Sequence, residues 1–316
     1  MALGSKEVSK GIAMIEDQIS QLVASIKGHQ EDLDATAKLF RTPEIMDSFD
    51  KWNYDCWRSS VFGDGLIKLR LFIEKNFNFV ETVGVISVAR YIFELSLWLR
   101  LLDLDARYGL VYYEQLIDTQ LRYWKDYRSQ LNREISLLNQ LAEEESSLLN
   151  DKIGELSLIS DEQKKQQAAI SAPKIVAEII DRKAARQFSI YAEQAKINGY
   201  GFQAYLVGKQ ALPEVEGSIA SLEEEKSTFD DTVSEDIRSL IPRRWNWRQM
   251  AEKVSLTEEY DFIYTFSSKL LHATPASITT NQKNLDLEEM LVFLKYIDVK
   301  IRDLLELGQS RAPVIA

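Results

Sequence analysis

Residues 82–104 read TVGVISVARYIFELSLWLRLLDL. Apolar side chains occupy almost every side of the helical wheel, so the stretch predicts a helix buried on most faces. Arg90 and Glu94 sit in its middle. Four residues apart, they share one face of that helix. A bundle therefore has its hydrophobic axis here, and the two charges must be neutralised by each other or by something packed beside them.

The rest of the composition agrees with a helical chain. It has 316 residues, of which 45% are hydrophobic, which is enough to build a core. Six prolines and thirteen glycines are few for this length and favour long helices over a turn-rich β architecture. The net charge of -11 disfavours broad, non-specific binding to nucleic acid but leaves room for a local basic patch. Cys56 is the only cysteine, so no intrachain disulfide can form, and a reducing cytoplasm is the expected location. With His29 and His272 as the only histidines, a zinc site rich in histidine or cysteine is excluded. No metal and no cofactor is expected. The 83–102 run has about the length of a bilayer span. Arg90, Glu94 and Arg100 interrupt it and nothing else resembles a span, so no membrane partner is expected.

Outward from the central helix, residues 5–40 repeat apolar side chains at helical spacing (Ile12, Ile15, Ile19, Leu22, Ile26) and predict one amphipathic helix. His29, in the polar run KGHQED, is expected to be exposed. Thr42-Pro43 starts the next helix. Phe62-Gly63-Asp64-Gly65 reads as a turn, with a short helix over 66–76 after it. Residues 106–130 form a long helix loaded with Tyr and Trp. From Leu131 to about Ile170 the apolar residues thin to a narrow seam, as in a coiled-coil-like arm. Ala172-Pro173 is expected to break the run, with a helix over 174–197 and a turn at Asn198-Gly199-Tyr200-Gly201. Glu214 to Leu240 is acidic and reads as a solvated helix. The aromatic load returns after Ile241-Pro242, with helices at 257–272 and 285–307.

Three groups of residues could carry chemistry. The first is Arg90 with Glu94. It is either an internal ion pair or a pocket wall with a guanidinium fork for phosphate or carboxylate. The second is Tyr260, Tyr264, Ser268 and His272, spaced by four on the 257–272 helix. Phe262, Ile263, Phe266 and Leu270 make that helix's core face. The stripe is then a second packed interface, or a site where His272 serves as acid or base near neutral pH. The third is Arg243, Arg244, Trp245, Trp247 and Arg248. Arginine interleaved with tryptophan can stack nucleobases; it can equally be a helix start with buried indoles and solvated guanidiniums, which the acidity of the chain favours.

The segment VARYIFELSLWLRLL with its Arg-x-x-x-Glu, followed at long range by Tyr-x-x-x-Tyr-x-x-x-Ser-x-x-x-His, resembles a group of mainly bacterial all-helical proteins of unknown function. These in turn look like distant relatives of the HEPN superfamily of helical toxins, defence effectors and RNA-cleaving enzymes. The resemblance covers about 80–130 and 245–305, and the residues that match are Arg90, Glu94, Tyr264, Ser268 and His272. It implies a defence or toxin-type effector, a site at a homodimer interface, and RNA or a nucleotide as substrate. The ribonuclease branch carries an arginine or polar residue about five to seven positions before its histidine. Thr265, Phe266 and Ser267 stand there in this chain. An arginine for His272 would have to come from another helix, and Arg90 is the candidate.

The sequence thus predicts an all-α protein: a helical bundle formed by 1–130 and 241–316, with 131–240 as a long inserted helical hairpin. The expected catalytic residues are His272, Arg90, Glu94 and Ser268, and the expected substrate-binding residues are Tyr260, Tyr264, Arg244 and Arg248. The alternative is a non-catalytic interaction module whose 131–240 arm binds a protein partner.

Overall fold

A computed structural model describes residues 2–78, 80–271 and 285–313, with side chains described outside 2–10 and 269–271. The chain is all-α, and no strand occurs among the described residues. Contacts divide it into two compact units, 1–114 with 233–316, and 115–232.

The first unit is assembled around α5, Thr82–Leu104. Twelve of its residues are buried, among them Ile86, Ile92, Phe93 and Leu101. The breadth of that burial explains an apolar composition on every side. Before α5 come α1 (Ala2–Gly28), α2 (Gln30–Lys38), α3 (Pro43–Asp47) and α4 (Tyr54–Asn76). The closing helix is α15, Leu287–Arg311. Its start is fixed by a capping box in which Asp286 accepts from the Glu289 amide and the Glu289 side chain accepts from the Asp286 amide. Helix α15 packs on α5, α1 and α2, and α4 packs on α2 and α5. α5 is the one described helix long and apolar enough to cross a bilayer, and 56% of the qualifying window is buried inside the protein.

Two expectations fail here. Residues 5–40 are not one helix: the rod breaks at His29, between α1 and α2. Residues 62–65 are not a turn, because α4 runs unbroken through both glycines. A Cβ on Gly65 would lie 2.6 Å from Leu95 Cδ1, and one on Gly63 would lie 2.9 Å from Arg41 Cγ. These glycines thin α4 where α5 and the end of α2 come close, a use of the residue that has nothing to do with chain reversal.

The long helix α6, Tyr108–Leu156, contributes its first residues to the first unit and the rest to the second. The second unit adds α7 (Glu162–Ala184), α8 (Ala192–Asn198), α9 (Tyr200–Leu206) and α10 (Leu212–Thr232), with a π-helical segment over Val207–Ala211. Its apolar contacts include two small clusters. One gathers Leu138, Leu141, Val176, Ile180 and Tyr200; the other gathers Leu131, Val207, Val215 and Ile219, with Trp124 half-buried beside it. Pro173 does not break this unit as expected. It lies inside α7, whose buried residues Ala172, Val176, Ile180 and Ala184 recur every four residues across it. That packed stripe holds the helix although the proline lacks an N–H. The predicted helix over 174–197 ends instead at Ala184, and Gly199, at φ +86°, makes the turn between α8 and α9.

After α10 the chain returns to the first unit through α11 (Glu235–Arg238), α12 (Trp247–Lys253) and α13 (Thr257–Glu259). A π-helical segment, Tyr260–Tyr264, then leads into α14, Thr265–Leu271. The predicted 257–272 helix therefore carries a π turn in its first half. Such turns are wider than α turns and recur at functional sites.

Candidate functional site

Arg90 and Glu94 project from α5 as the four-residue spacing requires. Arg90 Nε donates to Glu94 Oε1 at 3.0 Å. The other two nitrogens point at the Tyr260–Leu271 stretch. Nη2 donates to the Tyr264 hydroxyl at 3.2 Å, and Nη1 reaches Ser268 Oγ at 3.4 Å. The guanidinium also lies 4.6 Å from the centroid of the Tyr264 ring, a cation–π contact. Both charged side chains keep about a quarter of their surface in solvent, 26% for Arg90 and 28% for Glu94. The first group thus meets Tyr264 and Ser268 of the second, which lie 174 and 178 residues beyond Arg90 in the chain.

The aromatic residues join the third group to it. Asn246 caps α12, its side chain accepting from the Arg248 and Gln249 amides. This sets Trp247 in the first turn, and its ring centre lies 6.2 Å from that of Tyr264. Trp245 packs edge-on to Trp247 at 5.6 Å and stacks on Trp98 at 4.3 Å with the planes 14° apart. Trp98 follows Arg90 and Glu94 by eight and four residues, so the three share one face of α5. Tyr260 stacks on Tyr264 at 4.9 Å, and both rings approach Phe93 beneath them. Arg90, Glu94, Trp98, Tyr264, Ser268, Trp245 and Trp247 therefore form one continuous surface, polar at one end and aromatic at the other. The aromatic end extends further, since Trp98 meets Tyr112 at 5.1 Å and Tyr112 lies 6.0 Å from Trp57.

Burial raises the Tyr264 hydroxyl above its ordinary pKa, with Arg90 opposing that shift. At neutral pH it is a donor as well as an acceptor. It can pass its own proton outward to a ligand oxygen while accepting from Arg90. A ligand anion would meet Arg90 Nη1, Nη2 and two hydroxyls, a set suited to phosphate or carboxylate.

Other expected residues fall outside this surface or outside the described structure. Arg244 is exposed. Arg248 is 57% exposed and faces Glu252 and Asp261 at 3.7 and 3.6 Å. Neither guanidinium contacts Tyr264 or Arg90 by any hydrogen bond among the described residues. His272 lies outside the described residues. Among the described residues no three His, Cys, Asp or Glu side chains stand together as metal ligands would.

Two polar clusters were not foreseen. His29 is not exposed as its polar surroundings suggest: its side chain is 16% accessible, and its Nε2 lies 3.1 Å from Oδ1 of Asp298, which is 1% accessible. The same oxygen accepts from Ser25 Oγ at 2.7 Å, and Arg302 binds the other. The only signal in the sequence was an Asp among the apolar positions of α15, in KYIDVKI. The second cluster joins Lys300 to Glu259 at 2.6 Å and to Asp303 at 3.3 Å, with the Tyr296 hydroxyl donating to Glu259 at 3.0 Å.

No family model matches the chain, and no curated protein and no solved structure matches it either.

Proposed function

We propose that this chain is a HEPN-like bacterial effector of defence or toxin type that handles RNA or a nucleotide in the cytoplasm. The reading is carried by one observation: three separate stretches of sequence meet on one partly exposed face of α5, with a guanidinium and two hydroxyls at one end and stacked indoles at the other. Phosphate suits the first end and a base suits the second.

In this reading Arg90 holds a phosphate oxygen, and Tyr264 and Ser268 orient it. Glu94 keeps the guanidinium fork aimed, through its bond to Nε. Tyr260 backs the Tyr264 ring. Arg244 and Arg248 are solvated cations that draw the polyanion toward an otherwise acidic chain. His272, four residues beyond Ser268 in sequence, is assigned the acid/base role. It takes the proton of a ribose 2′-hydroxyl as that oxygen attacks the adjacent phosphorus; the bond from phosphorus to the 5′-oxygen breaks, and the 5′-oxygen leaves with a proton from water. The products are a 2′,3′-cyclic phosphate and a free 5′-hydroxyl. Charge that builds on the phosphate oxygens is met by Arg90. A homodimer belongs to the same proposal.

The test is incubation of the purified protein with single-stranded RNA. Wild type yields cyclic-phosphate ends, His272→Ala yields none, and Arg90→Met and Ser268→Ala are slowed. RNA left intact by the wild type in a range of buffers and sequences sinks the catalytic reading.

A second reading, a non-catalytic module that binds a protein through 131–240, is favoured by a different observation. Phe188 and Ile197 are 81% and 87% exposed, and Phe202 and Tyr205 stack on each other in solvent. Apolar side chains this open mark interaction surfaces when they cluster. Under that reading, Phe188→Asp with Ile197→Asp abolishes the biological effect while His272→Ala leaves it intact.

A further inference from the structure

The Lys300–Glu259–Tyr296 cluster lies outside the face just described, yet it fixes the element that carries half of that face. Glu259 is the last residue of α13, immediately before the π-helical segment. Both of its carboxylate oxygens are engaged by α15. Oε1 lies 2.6 Å from Lys300 Nζ, and Oε2 accepts from the Tyr296 hydroxyl at 3.0 Å. Tyr296 and Lys300 are one turn apart on α15, so the two bonds set both the axial position and the rotation of the chain as it enters the π turn. Lys300 is 9% accessible and its remaining described partner is Asp303. A buried ammonium is tolerated only where such partners hold it.

The phase of Tyr264 and Ser268 depends on this start. A π turn closes i to i+5 and holds more residues than an α turn. It therefore changes which direction every later side chain faces. The Tyr260–Tyr264 segment and the start of α14 meet α15 again through Phe262 and Phe266, whose rings lie 6.2 and 5.4 Å from that of Phe293. Those contacts are apolar and tolerate sliding. The charge-assisted pair at Glu259 does not, because its bonds are directional.

We infer that Glu259, Lys300 and Tyr296 are positioning residues, which set the register of the π turn and so hold the Tyr264 and Ser268 hydroxyls on Arg90. Their importance to catalysis rests on the function proposed above; their effect on Tyr264 does not. Burial and Glu259 keep the Tyr296 phenol well above its ordinary pKa, so it remains a donor across the working pH range.

The experiment reads the register directly. Full-length protein carrying ring-labelled 13C-tyrosine is compared by NMR with Lys300→Met, Glu259→Gln and Tyr296→Phe, and Tyr264→Phe assigns the Tyr264 signal. Asp298→Asn, on the same helix but in the other buried cluster, controls for lost stability alone. The inference expects the Tyr264 resonance to shift in the three variants and to stay in place in Asp298→Asn. It also expects the effects of Glu259→Gln and Lys300→Met to be less than additive when combined. RNA turnover in the same variants falls about tenfold or more, with KM nearly unchanged. A Tyr264 resonance that stays put in folded Lys300→Met and Glu259→Gln overturns the inference. If Lys300→Met fails to fold, Tyr296→Phe, which removes one hydroxyl and keeps the ring, decides alone. Wild-type protein that does not act on RNA while Tyr264 still moves upholds the positioning and refutes the function.

Discussion

Two polar clusters in the first unit solve the same problem in opposite ways. In each, a charged residue on an apolar helix meets hydroxyl or imidazole groups from far along the chain. At Asp298 the carboxylate is sealed, with Ser25, His29 and Arg302 taking up its oxygens. At Arg90 the partners are Glu94, Tyr264 and Ser268, and a quarter of the side chain still faces water. The first cluster satisfies its charge and stops there. The second leaves solvent access beside two hydroxyls and a stacked aromatic run. Solvent access, more than residue type, separates a structural polar cluster from a candidate site, since both contain the groups a catalyst would use.

That contrast can be broken by measurement. The largest effect is expected at Asp298→Asn, which leaves Ser25 and His29 without a buried anion and costs about 3 kcal/mol in urea unfolding. RNA turnover of the folded protein stays at the wild-type level. Arg90→Met costs about 1 kcal/mol or less, because Glu94 rehydrates, yet it slows RNA turnover. If the two substitutions cost the same stability, the clusters do not differ and Arg90 is scaffold. Arg302→Gln removes a cation from the sealed Asp298 carboxylate but leaves an amide that can donate to it, so a loss of about 1–2 kcal/mol is expected.

The smallest effect is a pH dependence. Burial, aided by Arg302 and opposed by Asp32, holds the His29 pKa below its ordinary value. In the neutral Nε2–H tautomer its imidazole donates to Asp298. The unfolded chain then binds a proton more readily than the folded one between the two pKa values. His29 therefore contributes stability that is present above the unfolded pKa and lost as the pH falls through that window. Urea midpoints measured from pH 7.5 downward are expected to fall less steeply in His29→Gln than in wild type. Parallel curves would show that His29 does not titrate differently on folding.

The parts of this fold that were legible were those whose cause is local. α5 was bounded correctly at Thr82 and Leu104 because composition alone signals burial on all sides. Pro43 in the first turn of α3 and the apolar spacing of α15 could be read the same way. Gly63, Gly65 and Pro173 misled because their usual meaning as breakers was overridden by packing from elsewhere: Leu95 and Arg41 beside the glycines, and a buried stripe on both sides of the proline. In the candidate site, the Arg90–Glu94 spacing and the Tyr264–Ser268 spacing were visible, but their meeting was not. Nor was the stacking of Trp245 on Trp98, since nothing local in either stretch refers to the other. His29 shows the same limit most sharply. Its neighbours are polar, and its partner Asp298 lies 269 residues away.

The tryptophans have a further use. Of the six in the chain, Trp52, Trp57, Trp98, Trp245 and Trp247 belong to the first unit, and Trp124 alone belongs to 115–232. Emission from a Trp124→Phe protein therefore reports the first unit only. A protein keeping Trp124 and carrying Phe at the other five positions reports the second. Recording both through one denaturant series asks whether a chain whose first unit is closed only by its last residues unfolds as one body or as two.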